Sequence, residues 1–248
     1  MCGRFVSASP PDEIAAYFDA AAPETLLPAN YNVAPTTDVY AVLVDGGVRK
    51  LVPLHWGLIP PWAKERKIAS RMINARSETI MEKPSFKNPF KKRRCIIPVD
   101  GFYEWQAIPG QKKKQPMFIQ RPDGEPFAFG GLWEVWKSKD DPDEIVRSCT
   151  IITGPANEKM AEIHDRMPLI LPPDRWSDWL DPELQDLDTL GKFLVPAPPQ
   201  LITFYPVSTD VNLVRNKSPH LIDRVDPEQE TATQASHHDS DTEPPPAV

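Results

Sequence analysis

The sequence predicts one α+β domain built around a curved, largely antiparallel, barrel-like β-sheet with helices at its periphery. Three observations carry this reading. The chain holds 30 prolines in 248 residues, more than twice the usual share of about 5%, spread along its length without forming repeats. Proline interrupts both helical and ladder hydrogen bonding, so short strands and ordered turns are favoured over long helices. Apolar runs of strand length then alternate with Gly, Pro and charged turns, the pattern of an antiparallel or mixed sheet that curls on itself. Helical signals lie between and after those runs.

In chain order, SPPDEIAAYF at 9–18 opens a helix, with Ser9 placed to cap it, proline at the first positions and acids in the first turn. The strand-length runs are VYAVLV (39–44), CIIPV (95–99), MFI (117–119), FAFGGLW (127–133) and CTIIT (149–153). Helices are expected within PANEKMAEIH (155–164), PDRWSDWL (173–180) and PELQDLDTLGKFL (182–194). The domain should therefore occupy residues 2–222. Residues 223–248 are polar, acidic and proline-bearing, the composition of a disordered tail.

Charge is distributed unevenly. The formal net charge is −7, but six acids and no Lys or Arg lie from Val225 onward, which leaves −1 on residues 1–224. Between Arg49 and Arg121 there are 17 Lys or Arg against five acids, a local balance of +12 that suits a polyanionic partner. KNPFKKRR (87–94) and KKK (112–114) read as flexible loops able to touch a phosphate backbone, or as solvated faces. Cys2, Cys95 and Cys149 are odd in number and show no CxxC spacing, which argues against a disulfide framework or a zinc knuckle and for a reducing compartment. There is neither an apolar run of about 18 residues nor a basic segment leading into an apolar one at the start. An unexported, intracellular protein without a membrane partner is expected.

Cys2 follows the initiator methionine. Removal of Met1 would place an α-amine and a thiol on one residue, with reference pKa values near ~8 and ~8.5. Such a 1,2-aminothiol condenses with an aldehyde to an imine, and the sulfur can close onto the same carbon as a five-membered thiazolidine. For an arbitrary protein with cysteine at position 2 a frayed, inert terminus is the ordinary outcome, so Cys2 alone decides nothing.

Four segments place polar side chains among bulky apolar neighbours, as a rigid scaffold does around a pocket. They are YNVAP (31–35), with Asn32 and Pro35, INARSET (73–79), DGFYEW (100–105) and IHDRMP (163–168). In GFYEW the period of two puts Phe102 and Glu104 on one face and Tyr103 and Trp105 on the other. A carboxylate sharing a face with an aromatic ring suits general acid work, and otherwise is a solvent-facing strand residue. His164 is a proton carrier or a helix-end residue, and Asn74 reads alone as a turn residue. Arg4, Arg71, Arg76 and Arg166 lie in or near these segments, and guanidinium forks suit phosphodiester oxygens. In HWGLIPPW, Trp56 and Trp62 are flat surfaces for unstacked bases or parts of the core.

MCGRF, YNVAPT, WGLIPPWAK, NARSET, RRCIIPVDGFYEW, FGGLWE and IHDRMP occur in this order. From residue 2 to about 222 the chain closely resembles the SOS response-associated peptidase (SRAP) family of abasic-site processing proteins. The resemblance implies a single α+β domain around a curved sheet and a covalent DNA–protein crosslink at abasic sites. It assigns Cys2 as nucleophile, Asn74 to holding the abasic sugar, and Glu104 and His164 to catalysis. It also places Arg4, Arg76 and Arg166 on the DNA backbone, and Trp56 with Gly57 and Leu58 along a DNA channel. Asn32, Pro35, Trp62 and Arg71 complete the expected DNA-binding set. The expected partner is single-stranded DNA bearing abasic sites, including junctions of single and double strands, bound by a monomer without cofactor or metal. In a bacterium the location would be cytoplasmic, at the nucleoid. The family name further implies self-removal of Met1. Two other classes fit the terminus: an N-terminal-nucleophile amidohydrolase, which would use its amine as base for the thiol, and a non-catalytic reader of single-stranded or modified DNA.

Overall fold

The computed structural model describes residues 2–226; Met1 and the acidic stretch expected to be disordered from 227 onward lie outside the described residues. Among the described residues twelve strands form two sheets. In chain order they are β1 (Phe5–Ser7), β2 (Asn30–Val33), β3 (Asp38–Asp45), β4 (Val48–Trp56), β5 (Asn74–Arg76), β6 (Arg94–Val99), β7 (Gly101–Gln106), β8 (Gln115–Gln120), β9 (Phe127–Lys137), β10 (Ile145–Pro155), β11 (Arg166–Pro168) and β12 (Thr203–Pro206). Five short α-helices sit outside them: α1 (Pro11–Tyr17), α2 (Pro84–Lys92), α3 (Glu158–Ala161), α4 (Trp176–Leu180) and α5 (Leu187–Gly191).

The larger sheet closes on itself. β10 pairs with β4, β4 with β3, β3 with β6, β6 with β9 and β9 again with β10, so five strands form a barrel, with β5 and β11 added along β10. Most pairings are antiparallel, while β10 runs parallel to β4 and β5. Alternation along each strand fills the interior with Val39, Ala41, Leu43, Leu54, Trp56, Cys95, Ile97, Phe129, Cys149 and Ile151. Tyr40, Val42, Leu51, Ile96, Ala128, Leu132 and Ile152 point outward, where α1, α2, α4 and α5 cover them. The second sheet is antiparallel, in the order β12-β8-β7-β1-β2, and shares the interior core through Phe5, Phe102 and Ile119.

Several local expectations change. The first helix is capped by Pro10, not by Ser9. The Ser9 hydroxyl instead donates to Asp100 Oδ1 at 2.7 Å, while the amides of Ala8 and Ser9 donate to Asp100 Oδ2. KNPFKKRR is not a loop: Lys87–Lys92 end α2, and Arg94 begins β6 with only 3% of its surface exposed. Its guanidinium donates to the carbonyls of Phe90, Lys91, Trp179 and Asp181, tying α2 and α4 to the barrel. A buried cation whose donors all meet carbonyls cannot face a phosphate, and burial lowers its pKa to about 10. The helix expected over 182–194 is confined to Leu187–Gly191, where Asp186 caps it by accepting from the Thr189 amide at 2.8 Å. Ordered pairing also runs past 222: Arg224 bridges to Val207, and the Val225 amide donates to the Pro206 carbonyl at 3.1 Å.

Candidate active site and nucleic-acid interface

β1 carries the chain start between β2 and β7, with Phe5 opposite Phe102. The Tyr103 amide donates to the Arg4 carbonyl at 2.9 Å, and the same register sets Gly3 opposite Glu104. The start of the chain is thereby held as part of a sheet, and Cys2 is 1% exposed. As alternation along GFYEW predicts, Phe102 faces the core that holds Cys2, whereas Tyr103 and Trp105 face a separate cluster with Val6 and Phe118. Glu104 is buried at 4% exposure. Burial raises the Cys2 thiol pKa far above its ordinary value, and the neighbouring Glu104 carboxylate adds to that rise. The thiol is therefore neutral at physiological pH, in place of the partly ionised group expected of a free terminus.

Asn74 reaches the same point from the barrel. β5 lies parallel to β10, with Asn74 opposite Ile151, and Asn74 Nδ2 donates to the Cys2 carbonyl at 2.9 Å. Asn74 Oδ1 is buried without a hydrogen-bond partner among the described residues, an unused acceptor on the residue that holds Cys2. Trp56, Gly57 and Leu58 hold the segment leading to Asn74. The Trp56 indole donates to the Ile73 carbonyl at 3.0 Å, and the Leu58 amide donates to the Met72 carbonyl at 3.0 Å. Gly57 has φ +131°, and a Cβ there would lie 2.5 Å from the Ala69 carbonyl oxygen.

His164 follows α3, which Asn157 caps by accepting from the Met160 amide at 2.8 Å. Gln106, two residues beyond Glu104, donates to the Glu162 carbonyl at 2.8 Å, and Ile163 packs into the core cluster that contains Cys2. The His164 ring accepts at Nδ1 from the Arg166 amide at 3.0 Å, which places the proton of a neutral ring on Nε2. Nδ1 also lies 2.8 Å from Asp165 Oδ1, a contact that becomes an ion pair when the ring is protonated. Nδ1 thus lies between a backbone donor and a carboxylate acceptor.

The residues expected to face DNA separate into three groups. Trp62, Arg71 and Arg76 are exposed, and Trp62 and Arg71 line a pocket of about 370 Å³ with Lys64, Lys67 and Ser70. Arg4 and Arg166 are half-buried and engaged within the protein, and Pro35 begins a turn in which Thr36 donates to the Trp56 carbonyl. Arg4 donates to Asn32 Oδ1 and to the Val211 carbonyl, each at 2.8 Å, and stacks on Trp105. Arg166 forks onto Glu78 at 2.6 and 3.0 Å and donates to the Thr153 carbonyl at 2.7 Å. Asn32 and Trp56 are fully buried and Gly57 is buried against Ala69, which corrects the expectation that these three touch bases or backbone. The Asn32 amide holds the carbonyls of Val211, Leu213 and Asn216, and Trp56 packs against Phe5.

Sequence reasoning left Glu78 and Gln106 without roles, although both stand inside or beside quoted segments. His55, also unassigned there, is an interior structural residue, 8% exposed and 3.6 Å from Asp38 across the β3–β4 pair. All three cysteines are free. Among the described residues no group of three His, Cys, Asp or Glu could hold a metal ion, and no helix is long and apolar enough to cross a membrane.

A closed β-barrel flanked by an antiparallel sheet, with a cysteine near the chain start held between an asparagine and a glutamate, defines an α+β protein with a terminal thiol site. The family model described as SOS response associated peptidase (SRAP) matches residues 1–214. The chain belongs to this family. It is 45% identical over 225 residues to the abasic site processing protein YoqW of Bacillus subtilis (strain 168), covering 90% of this chain and 99% of the relative. It is 34% identical over 228 residues to the abasic site processing protein HMCES of Mus musculus, covering 78% of this chain and 64% of the relative. A solved structure of a Bacteroides thetaiotaomicron protein superposes with a TM-score of 0.80 at 26% identity, covering 90% of this chain and 100% of the other.

Proposed function

We propose that this protein processes abasic sites in single-stranded DNA by covalent capture on Cys2. The observation that carries the reading is the hydrogen bond from Asn74 Nδ2 to the Cys2 carbonyl, beside a thiol whose proton affinity is raised first by burial and then by Glu104. The names of the related proteins point to the same lesion. Loss of Met1, by hydrolysis of the Met1–Cys2 peptide bond within the site, frees the α-amine. The sugar is mostly a closed ring, and Glu104 transfers the proton that opens it to the aldehyde. The amine then adds to that carbon, His164 delivers a proton to the departing oxygen, and water leaves as the imine forms.

The neutral thiol next adds to the imine carbon. A C–S bond forms, the imine π bond becomes a nitrogen lone pair, and the thiol proton passes through Glu104 to that nitrogen, so no oxidant or reductant is needed. Because the thiol starts protonated, a base within reach is part of the mechanism and not an accessory. Proximity of amine and thiol on one residue supplies a large effective molarity. Sulfur capture also diverts the imine from β-elimination, which would break the strand. Asn74 Oδ1 accepts from a hydroxyl of the opened sugar. Arg71, Arg76 and Arg166 meet the backbone, and Trp62 carries a neighbouring base. The protein acts as an intracellular monomer on single strands and their junctions with duplex.

The test mixes the full-length protein with a single-stranded oligonucleotide bearing one abasic site and resolves the products on a denaturing gel. A heat-resistant shifted band is expected from wild type and none from Cys2→Ala. Cys2→Ser should give only a labile adduct that requires reductive trapping. A stable band from the serine variant would overturn the thiazolidine step, and no band from wild type would overturn the reading.

A further inference from the structure

Arg166 is a family-matched contact for the DNA backbone, yet its fork is occupied. Nη1 and Nη2 donate to the two oxygens of Glu78 at 2.6 and 3.0 Å, and Nη2 also donates to the Thr153 carbonyl at 2.7 Å. Only 16% of the Arg166 side chain is exposed, against 45% for Glu78. Glu78 lies on the short 3-10 turn Ser77–Thr79 that directly follows β5, so it starts four residues from Asn74. Arg166 lies on β11 two residues after His164. Arg76 and Arg166 flank the end of β10, opposite Thr153 and Pro155 respectively. The pair therefore joins the segment that follows Asn74 to the segment that follows His164.

A carboxylate and a phosphodiester present the same two-oxygen face to a guanidinium. We propose that Glu78 is an internal stand-in for a DNA phosphate on Arg166, so that binding at this position exchanges one anion for another. This rests on the reading that Arg166 meets the DNA backbone. Glu78 is the exposed, turn-borne partner, whereas Arg166 is also held by the Thr153 carbonyl and by its place on β11. In the DNA-free protein the exchange keeps a half-buried guanidinium paired; in the complex it returns a carboxylate to water. The Arg166 fork holds the Glu78 carboxyl down at about 2, so the competitor is charged at every working pH.

The exchange has a signature in salt dependence. A phosphate contact on a single strand normally contributes about −0.7 to the slope of log K against log salt, through released counterions. Freeing Glu78 leaves an unpaired negative charge beside the strand, whose screened repulsion offsets much of that contribution. The experiment measures noncovalent binding of an unmodified single-stranded oligonucleotide by full-length protein in a Cys2→Ala background. It compares Glu78→Gln, Glu78→Asp, Arg166→Gln and the Glu78→Gln/Arg166→Gln pair across a salt series, with Tm recorded for each. Glu78→Gln is expected to bind roughly fivefold tighter near physiological salt, with a slope steeper by ~0.7. Glu78→Asp, which keeps the charge but reaches the fork less well, should fall between. In the Arg166→Gln background the gain should vanish. Unchanged or weaker binding by both Glu78 variants with Tm retained, or the same gain without Arg166, overturns the proposal. Whether abasic DNA is crosslinked by the Cys2-bearing wild type is read separately, so failure of the functional reading and failure of this exchange are distinguishable.

Discussion

The two sheets contribute different things to one site. The antiparallel sheet brings Cys2 close to Glu104, since β1 pairs with β7 through Phe5 and Phe102 and the Tyr103 amide donates to the Arg4 carbonyl. The barrel supplies Asn74 from β5, and His164 and Arg166 from the approach to and start of β11, all along β10. The Cys2–Glu104 neighbourhood is thus built within one sheet, whereas the approach of Asn74 to Cys2 depends on how the barrel packs against that sheet. The bond from Asn74 to the Cys2 carbonyl crosses the seam. The lesson is that Cys2, although near a chain start where order is ordinarily lowest, is buried and hydrogen-bonded because a second sheet packs beside it.

The seam bond offers the largest effect. Asn74→Ala removes the donor, and Asn74→Asp sets a carboxylate against the Cys2 carbonyl. Loss of a hydrogen bond in a buried site costs about 1–3 kcal/mol, so single-turnover crosslinking at saturating DNA should fall roughly ten- to a hundredfold, more for Asp than for Ala. If both variants crosslink at the wild-type rate, the two sheets are not coupled through this residue.

Gly57 probes the barrel's support of Asn74. Gly57→Ala meets the Ala69 carbonyl at 2.5 Å and forces a side chain to φ +131°. A destabilisation of about 2 kcal/mol is expected, or a Tm lower by about 4–8 °C for a chain of this size, with slower crosslinking because the 69–74 segment shifts. An unaltered Tm would show that this turn relaxes freely. Trp62 should show the smallest effect and a separable one. It is 56% exposed on the pocket beside Arg71, so Trp62→Ala should weaken single-strand binding by about 1 kcal/mol, at the low end for base–aromatic stacking. Its Tm and its crosslinking rate at saturating DNA should stay unchanged; a lost rate would move Trp62 into the reacting machinery.

Much of the strand content was legible because period-two alternation and proline-bounded runs are local signals. VYAVLV and CIIPV lie within β3 and β6, and the alternation in GFYEW correctly divides Phe102 from Tyr103. Basic residues were least legible. Arg94 and Lys92 are near neighbours in a cationic run, yet Arg94 is an interior clamp on four carbonyls. Arg93 pairs with the buried Glu134, and Arg49 donates to the Phe18 carbonyl and to Ser177. A count of +12 is silent about which donors meet protein carbonyls, because those acceptors come from distant elements. Trp56 and Trp62 make the same point within one motif: the first closes the core and the second faces solvent.

The sequence by itself determined the residue types of the site, the strand and turn pattern, and the presence of a cysteine able to become a 1,2-aminothiol. Those are properties of covalent order and local periodicity. Only the tertiary structure decided that Cys2 is buried with a neutral thiol, that Asn74 meets it, and that Glu78 occupies the fork of Arg166. The physical reason is that desolvation and pairing depend on which distant segments come within a few ångströms. Barrel closure and the docking of a second sheet set those distances.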